Sequence, residues 1–454
     1  MLTIKKILFQ IENNIDAVIA EDTTLGKDLW QILLGQHYAD IAMLIHKLDD
    51  DRQIALFKKL PRETSIRVFR KLPQQQQAHL LLALELDQAA ILLKNMPADE
   101  LTDLFDYLSD EDLEKYLKLL QSKQRNQILS LLSFNPRSAG GRMNSDVITL
   151  QKDFTVRRSV ELLQRLSHTR TVMQRMYITN KEDVLVGYVT LDKLVLSKPE
   201  THIASIMAHN ELIVSVDEDQ EDVANQMHHY GLLYVPVVDK HNHFLGVITA
   251  DDVFEIIKEE GSEDVYKMFG LIPVDQGYFS TPIWQFVWQR GVWLVGLLIL
   301  QSLSSLILSS YNDMIGKYTI IAVFLTMLIG TGGNAGNQSA TVVIRGLTTR
   351  EMSRRNAHKV FWRELTVGLL MAAVLMVVAF ARVYWSYRDW VSALVISLSL
   401  YLIVITSMAL GALIPIMLER FDIDPAHSAA PFLATLMDVL GVLIYCFVCS
   451  KLLG

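Results

Sequence analysis

Five long hydrophobic segments in the second part of the chain constrain its fold more than any other feature. Each is long enough to cross about 30 Å of hydrocarbon as an α-helix. The backbone of a membrane span must satisfy its own hydrogen bonds, so apolar segments of this length fold as helices. The segments lie at about 283–309, 318–344, 361–384, 392–418 and 431–453. We therefore predict a membrane domain with five transmembrane helices over residues 280–454.

The charge of the chain changes sign where these segments begin. Residues 1–281 contain 42 acidic and 30 basic residues, whereas residues 282–454 contain 8 and 12. The net charges are therefore −12 and +4, which agree with the −8 of the whole chain. An acidic part of this kind attracts cations and repels nucleic acid. We expect cations and membrane lipid as partners, and no nucleic acid.

A basic connection between the second and third segments sets the expected orientation. Its charged residues are Arg345, Arg350, Arg354, Arg355, Lys359 and Arg363. Short positively charged connections stay in the cytoplasm. The chain is then a multi-pass protein of the cell (inner) membrane, with a cytoplasmic N-terminus, cytoplasmic soluble domains and an external C-terminus. Residues 1–14 lack the apolar core and cleavage site of a signal peptide.

Residues 1–135 carry a 12-residue repeat of apolar positions. One register is Leu48, Leu60, Leu72, Leu84, Met96, Leu108, Leu120 and Leu132, and a second is Phe57, Phe69, Leu81, Leu93, Phe105, Leu117 and Leu129. Proline directly follows the first register at Pro61, Pro73 and Pro97, and proline fits the first turn of a helix. Each repeat is predicted to be one short helix and a tight turn, and such helices stack into a superhelix.

Two similar units follow between about residues 142 and 258. The sequence GYVTLD at 187–192 matches GVITAD at 246–251, and each covers most of a predicted strand and the start of the next predicted helix. The pattern resembles a tandem pair of CBS domains, which are regulatory modules that sense nucleotides or ions. Thr249 and Asp252 fit the Thr-x-x-Asp ribose-contacting pattern of such domains, which implies ATP as a candidate ligand. The alternative is that Thr249 simply caps the next helix.

Two histidine pairs lie in the second unit, His228 with His229 and His241 with His243. Neither pair has cysteine or carboxylate partners at a defined ligand spacing. We therefore expect solvent-exposed histidines rather than a metal site.

Residues 251–269 are predicted to form one continuous amphipathic helix that connects the soluble part to the membrane part. Its acids include Glu255, Glu259, Glu260, Glu263 and Asp264, and we expect Pro273 and Gly277 to end it. The helix is either a gate with an acidic face or a solvated spacer.

The membrane part contains two polar features. Asp438 is the one carboxylate of the last segment, and an acid at the centre of a membrane helix costs about 2.5–3.5 kcal/mol on insertion scales. The stretch 330–339, GTGGNAGNQS, interrupts the second segment with glycines and amides. Its glycines permit either close helix approach or an unwound turn. Together these features indicate a cation channel or transporter.

These motifs resemble the MgtE family of magnesium channels. The most specific are GGNAGNQS at 332–339, Asp424-Pro425-Ala426, and PFLATLMDVLG at 431–441. The resemblance covers essentially the whole chain and implies a homodimer with one central pore. The fold class expected is multidomain: an all-α superhelical repeat domain (1–135), α/β tandem CBS domains (136–258), a connecting or plug helix (251–275) and an α-helical membrane domain (280–454).

The resemblance also implies the metal-binding residues. In the pore these are Asp438, the backbone carbonyl of Ala434, and Asn337. The acids that would bind regulatory Mg²⁺ are Asp99 and Asp103 in the repeat domain, Asp219, Glu221, Asp252 and Glu255 in the CBS pair, and Glu260, Glu263 and Asp264 in the connecting helix, with Asp424 as a further candidate. Four positions depart from the family pattern, namely Arg67, Gly231, Ala430 and Thr326.

The function expected is a Mg²⁺-selective channel or transporter for Mg²⁺ uptake, closed by cytosolic Mg²⁺ bound to the repeat and CBS domains. Mg²⁺ prefers octahedral oxygen ligands and releases water reluctantly, so Asp438 is expected to hold the hydrated ion. The alternative is an ion-coupled carrier for Mg²⁺, Co²⁺ or Mn²⁺ with CBS nucleotide regulation. We predict no catalytic residues, because the membrane part offers no nucleophile with a positioned base.

Overall fold

The computed structural model of the chain describes residues 2–166, 173–272, 281–349, 351–353, 355–427 and 429–453. The chain divides into two compact units, Met1–Lys258 and Glu259–Gly454. Each unit is described by itself.

The first unit begins with a series of short helices. They are α1 Leu2–Asn13, α2 Ile15–Ala20, α3 Thr24–Leu34, α4 Tyr38–Lys47, α5 Asp50–Lys59, α6 Arg62–Phe69, α7 Gln74–Ala83, α8 Leu86–Leu93, α9 Ala98–Phe105, α10 Asp110–Leu117, α11 Ser122–Leu131 and α12 Ala139–Arg142. From α5 to α11 each helix starts 12 residues after the one before. The predicted helical repeat is confirmed, and Pro61, Pro73 and Pro97 lie immediately before the helices that they introduce.

The repeat is held together by apolar residues at equivalent positions. Leu60, Leu72 and Met96 of the first register lie in the turns and are buried, and Phe69 and Phe105 of the second register are buried on the helices. Burial of such side chains contributes roughly 1.5–3 kcal/mol each. Helices of two turns are not stable alone, so this shared core is what makes them form.

Two sheets with the same strand order follow. In the first, β1 Thr149–Gln151 pairs in parallel with β2 Arg175–Thr179, which pairs antiparallel with β3 Leu185–Thr190. In the second, β4 Val214–Ser215, β5 Tyr234–Val238 and β6 Phe244–Thr249 pair in the same way. The helices of these units are α13 Val156–Leu166, α14 Leu191–Leu196, α15 Ile203–Ile206 and α16 Gln220–Tyr230. The predicted tandem CBS fold is confirmed.

Each unit has a glycine near the start of its last strand, and this glycine has a packing role. A Cβ on Gly187 would lie 2.4 Å from the carbonyl oxygen of Ala208, and a Cβ on Gly246 would lie 2.6 Å from that of Asn144. Each glycine therefore lets another backbone segment cross the strand closely.

A long helix, α17 Ala250–Met268, follows β6. It matches the predicted helix over 251–269 to within one residue. The predicted end at Pro273 and Gly277 is wrong for the helix itself, because Gly270 takes a left-handed backbone conformation with φ +67° directly after it. The amides of Gly270 and Leu271 bond back to Lys267 and Tyr266, which is a common glycine-based helix end. Pro273 and Gly277 themselves lie outside the described residues.

The second unit contains the hydrophobic helices. They are α18 Ile283–Ser310, α20 Ile320–Thr348, α21 Ala357–Tyr387, α22 Trp390–Arg420 and α23 Ala429–Leu452, with the short α19 Asn312–Lys317 between the first two. Five of them are long and apolar enough to cross a membrane, as predicted. Buried residues of α20, α22 and α23, including Leu328, Ile403 and Met437, form the core. α18 packs against α23, and none of the described residues of α18 is buried.

The polar stretch 330–339 stays inside the regular helix α20. The alternative of an unwound turn is therefore wrong, and close helix approach is what the glycines provide. A Cβ on Gly411 of α22 would lie 2.3 Å from the carbonyl oxygen of Gly336 of α20. The Ser407 hydroxyl donates to the Gly332 carbonyl at 2.6 Å. These contacts join α20 to α22 at backbone distance.

Candidate cation sites

Asp438 lies in the middle of α23 and is half-buried. Its Oδ2 accepts a hydrogen bond from Nε2 of Gln301 on α18 at 2.9 Å. Within the described residues no lysine, arginine or histidine forms an ion pair with it. A neutral amide orients a carboxylate without cancelling its charge. The Gln301 amide therefore leaves the Asp438 carboxylate oriented but without a described cationic partner.

Asn337 supplies a second oxygen in the same unit. It lies on α20, and its Oδ1 is fully enclosed with no hydrogen-bond donor among the residues that the structure describes. An enclosed acceptor without a partner costs about 1–3 kcal/mol, and a hydrated cation would relieve that cost. Ala434 lies one helical turn before Asp438 on α23, so the two residues share one face of that helix.

A second acid in the membrane helices was missed by the sequence reasoning. Oε2 of Glu364, near the start of α21, accepts a hydrogen bond from the Ser339 hydroxyl at 2.8 Å. Ser339 is buried and ends the GGNAGNQS motif. Glu364 directly follows Arg363, the last residue of the basic connection. The signal that could have found it is an acid inside the third hydrophobic segment.

The first unit encloses a second acidic cluster around Asp99 of α9. Asp99 Oδ1 is buried, and no described residue donates a hydrogen bond to it. Burial, and then the nearby charges of Asp252, Glu100 and Asp103, raise the pKa of Asp99 to about 8. The arrangement brings two predicted acids of the repeat domain close to one of the CBS pair. A bound divalent cation would offset this repulsion.

The two carboxylate oxygens of Asp252, at the start of α17, have different surroundings. Its Oδ2 accepts hydrogen bonds from the backbone N–H of Thr249 at 3.0 Å and from the Thr249 hydroxyl at 2.7 Å. Burial raises the pKa of Asp252, and the hydrogen bonds from Thr249 partly offset that rise. The Thr249–Asp252 pair therefore forms a helix-capping contact, and Asp252 Oδ1 is the oxygen that remains for a ligand.

The remaining predicted acids of the first unit are exposed and have ordinary partners. Oε1 of Glu255 accepts a hydrogen bond from Gln74 at 3.3 Å. Asp219 caps α16 by accepting from the backbone N–H of Glu221 at 2.9 Å. The structure therefore places Asp219 at the start of α16, with Glu221 in the first turn of the same helix.

The acids of α17 in the second unit surround a lysine. Lys267 Nζ lies 2.8 Å from Glu263 Oε1 and 2.7 Å from Asp424 Oδ2, which belongs to the connection between α22 and α23. Burial would lower the pKa of Lys267, but hydrogen bonds to Asp424 and Glu263 raise it to about 12. Burial and the charge of Asp424 raise the pKa of Asp264. Glu260 is half-buried on the same helix.

A helical repeat, a CBS pair and five apolar helices that carry acids and amides define a membrane transporter of cations with a large soluble part. Comparison with known proteins agrees. The sequence profile described as "Divalent cation transporter" matches residues 325–448, "MgtE intracellular N domain" matches 36–137 and "CBS domain" matches 203–259.

Individual relatives identify the family. The magnesium transporter MgtE of Thermus thermophilus is 34% identical over 328 residues, which is 72% of each chain. That of Enterococcus faecalis is 30% identical over 70% of each chain. The chain belongs to the MgtE family. A solved structure described as the cytosolic domain of the Mg²⁺ channel MgtE in complex with ATP is 25% identical, with a TM-score of 0.50, and covers 54% of this chain and 99% of its own.

Proposed function

We propose that the chain is a Mg²⁺ channel of the cell membrane that mediates Mg²⁺ uptake and is closed by cytosolic Mg²⁺. The observation that carries the proposal is Asp438, a carboxylate among apolar helices whose described partner is a neutral amide. Mg²⁺ is the proposed ion because the relatives are named as magnesium transporters.

The permeation step follows from the chemistry of Mg²⁺. The ion keeps several waters in its octahedral shell. Asp438, the Asn337 amide oxygen and the Ala434 carbonyl would bind those waters rather than the bare ion. The proposal includes a homodimer, in which two Asp438 carboxylates share one pore and repel each other unless a cation lies between them. The C-terminus is external in this proposal.

The closing step uses the acids of the soluble part. Asp99, with Asp103 and Asp252 nearby, is enclosed, and no described residue donates a hydrogen bond to its Oδ1. Divalent ions bound there, and near Glu255 and the α17 acids, would favour the compact state in which they bind best. In the CBS pair Thr249 and Asp252 would hold the ribose of ATP, with Asp252 Oδ1 as the acceptor that the capping contact leaves available.

The pore assignment is tested by Mg²⁺ flux into proteoliposomes. We expect Asp438→Ala to abolish flux while the protein stays folded, and Asp438→Glu to be impaired because the longer side chain displaces the carboxylate. Asp313→Ala is the matched control, since Asp313 is an exposed acid of the same unit. Wild-type flux in Asp438→Ala would refute the assignment.

The contact of Glu364 with Ser339 is a reason to test the alternative function, an ion-coupled carrier. A second membrane acid could exchange protons, as an ion-coupled carrier requires. Glu364→Gln keeps the hydrogen bond from Ser339 but cannot titrate. Flux that depends on a pH gradient in wild type, and loses that dependence in Glu364→Gln, would favour the carrier over the channel.

A further inference from the structure

The turn between β5 and β6 is fixed by one carboxylate oxygen. Asp239 Oδ1 accepts hydrogen bonds from the backbone N–H groups of His241 and His243, both at 2.8 Å. Asn242 takes a left-handed conformation with φ +62°. Asp side chains commonly form turns of this kind. The second carboxylate oxygen is therefore not needed to build the turn.

That second oxygen faces two imidazoles. Asp239 Oδ2 lies 2.8 Å from His243 Nδ1 and 3.8 Å from His241 Nδ1. One ligand atom from each of the three residues lies within 4.8 Å of the others. The expectation that these histidines lack a carboxylate partner is therefore wrong, because the turn folds Asp239 back towards both rings. The hydrogen bond from His243 keeps the pKa of Asp239 at about 2, so the carboxylate is charged.

The first CBS unit contains the same turn without the ligands. Asn180 Oδ1 accepts from the backbone N–H groups of Glu182 and Val184, both at 2.9 Å, and Asp183 has φ +58°. The positions of His241 and His243 are thus occupied by Glu182 and Val184. The turn therefore forms with either Asp or Asn at its first position, and it forms without histidine at the other two.

The two turns hold each other in place. The backbone N–H of Leu185 donates to Asn242 O at 3.0 Å, and that of Phe244 donates to Asp183 O at 3.0 Å. The ligand-bearing turn is therefore fixed to the first CBS unit as well as to its own strands. Preorganised ligands bind a metal ion with less conformational entropy loss.

We propose that Asp239, His241 and His243 form a binding site for a divalent transition-metal ion of the Zn²⁺, Co²⁺ or Ni²⁺ class. Imidazole and carboxylate suit these ions, whereas Mg²⁺ prefers oxygen alone. In a tetrahedral site with bonds near 2.05 Å, ligand atoms are about 3.3 Å apart. The observed separations of 2.8 and 3.8 Å lie on either side of that value. Water would fill the remaining positions.

The site differs in chemistry from the enclosed acids around Asp99. It lies on the surface of the regulatory part, with 80% of the His241 side chain and 42% of the His243 side chain exposed. An ion could therefore enter without unfolding. It would stiffen the turn that joins the two CBS units.

The test uses the full chain in detergent, without a histidine tag. Co²⁺ binding is followed by visible absorption, and Zn²⁺ stoichiometry by equilibrium dialysis with 5 mM Mg²⁺ present. We expect one more ion per chain in wild type than in His241→Gln/His243→Gln. The matched control is His228→Gln/His229→Gln, which removes two exposed histidines from α16, where neighbours in sequence do not face each other. This control should bind as wild type does.

Asp239→Asn separates ligation from folding, because asparagine builds the equivalent turn at Asn180. We expect at least tenfold weaker Co²⁺ binding and an unchanged melting temperature. Equal stoichiometry and affinity in wild type and the double histidine variant would overturn the proposal, and so would displacement by equimolar Mg²⁺. Mg²⁺ flux is not part of the readout, so failure here leaves the proposed channel untouched.

Discussion

Asp99 of the helical repeat and Asp252 at the start of α17 lie close enough for each charge to act on the other, and Asp99 Oδ1 has no hydrogen-bond donor among the described residues. The repeat and the CBS pair therefore meet at an acidic contact within the first unit. Such a contact is destabilising when both acids are ionised and stabilising when a divalent ion bridges them.

The pH dependence of stability should reveal Asp99. Its pKa is raised from an ordinary value near 4 to about 8, so between those values the folded state holds a proton that the unfolded state has lost. Stability therefore falls as pH rises through this window. In EDTA we expect wild type to lose roughly 2–4 kcal/mol between pH 5 and 8, and Asp99→Asn to lose much less. Thermal unfolding at several pH values measures the difference.

Mg²⁺ is the control for this experiment. Bound Mg²⁺ favours the ionised acid, so millimolar Mg²⁺ should flatten the wild-type profile and leave that of Asp99→Asn nearly unchanged. Parallel profiles of the two proteins in EDTA would mean that Asp99 is hydrated rather than enclosed.

Gating should depend on the acids around Asp99, with the exposed Glu255 beside them on α17, and not on total charge. We expect the quadruple variant Asp99→Asn, Asp103→Asn, Asp252→Asn and Glu255→Gln to need at least tenfold more cytosolic Mg²⁺ for closure, because the bridging ligands are weakened. Asparagine at 252 can still accept from Thr249. The measurement is flux or single-channel current against Mg²⁺ concentration on the cytosolic side.

The matched control removes four exposed acids from α5 and α10. These are Asp50, Asp51, Asp110 and Glu111. It carries the same change in net charge and should close as wild type does. If both variants close normally, the Mg²⁺ sensor does not include Asp99 and its neighbours.

The last turn of α17 should depend on Lys267. Lys267→Met keeps the apolar stem but leaves Glu263, which is buried, and Asp424 without their shared cation. Removing one partner of a buried pair is costly because the other charge stays buried. We expect several-fold faster proteolysis within α17 in Mg²⁺-free buffer, and partial protection by Mg²⁺.

The control is Lys359→Met, because Lys359 is an exposed lysine of the same unit. This variant should behave as wild type does. Equal protection of the two variants would make α17 a spacer.

The sequence predicted the positions of secondary-structure elements better than the side-chain contacts between distant residues. The 12-residue spacing located the starts of α5 to α11, because each helix depends on local turn chemistry and a repeated apolar face. The contacts Gln301–Asp438 and Lys267–Asp424 join residues 137 and 157 positions apart. Such pairs depend on how helices pack, which periodicity does not specify. The roles of the predicted metal residues and the limits of the four domains stay predictions.

The histidine turn shows a different reason for a missed site. Asp239 lies two residues before His241, but sequence spacing alone does not indicate that its side chain faces the two rings. The folded turn, in which Asn242 takes a left-handed conformation, brings the Asp239 carboxylate to both rings. The glycines of Gly330–Ser339 are compatible both with close helix packing and with an unwound turn. The sequence alone therefore could not decide between the two, and the structure shows a regular helix.

Close approach of α20 and α22 should be required for a stable membrane domain. In Gly411→Ala the new Cβ would lie 2.3 Å from the Gly336 carbonyl oxygen, which is backbone and cannot rotate away, so the two helices must separate. We expect a melting temperature lower by several degrees in detergent and reduced Mg²⁺ flux. Gly330→Ala is the matched control, because no atom of the described residues lies within 4 Å of a Cβ there and alanine favours helix by about 1 kcal/mol over glycine. It should be as stable as wild type or more so. Equal melting temperatures for the two variants would show that α20 and α22 do not pack through Gly336 and Gly411.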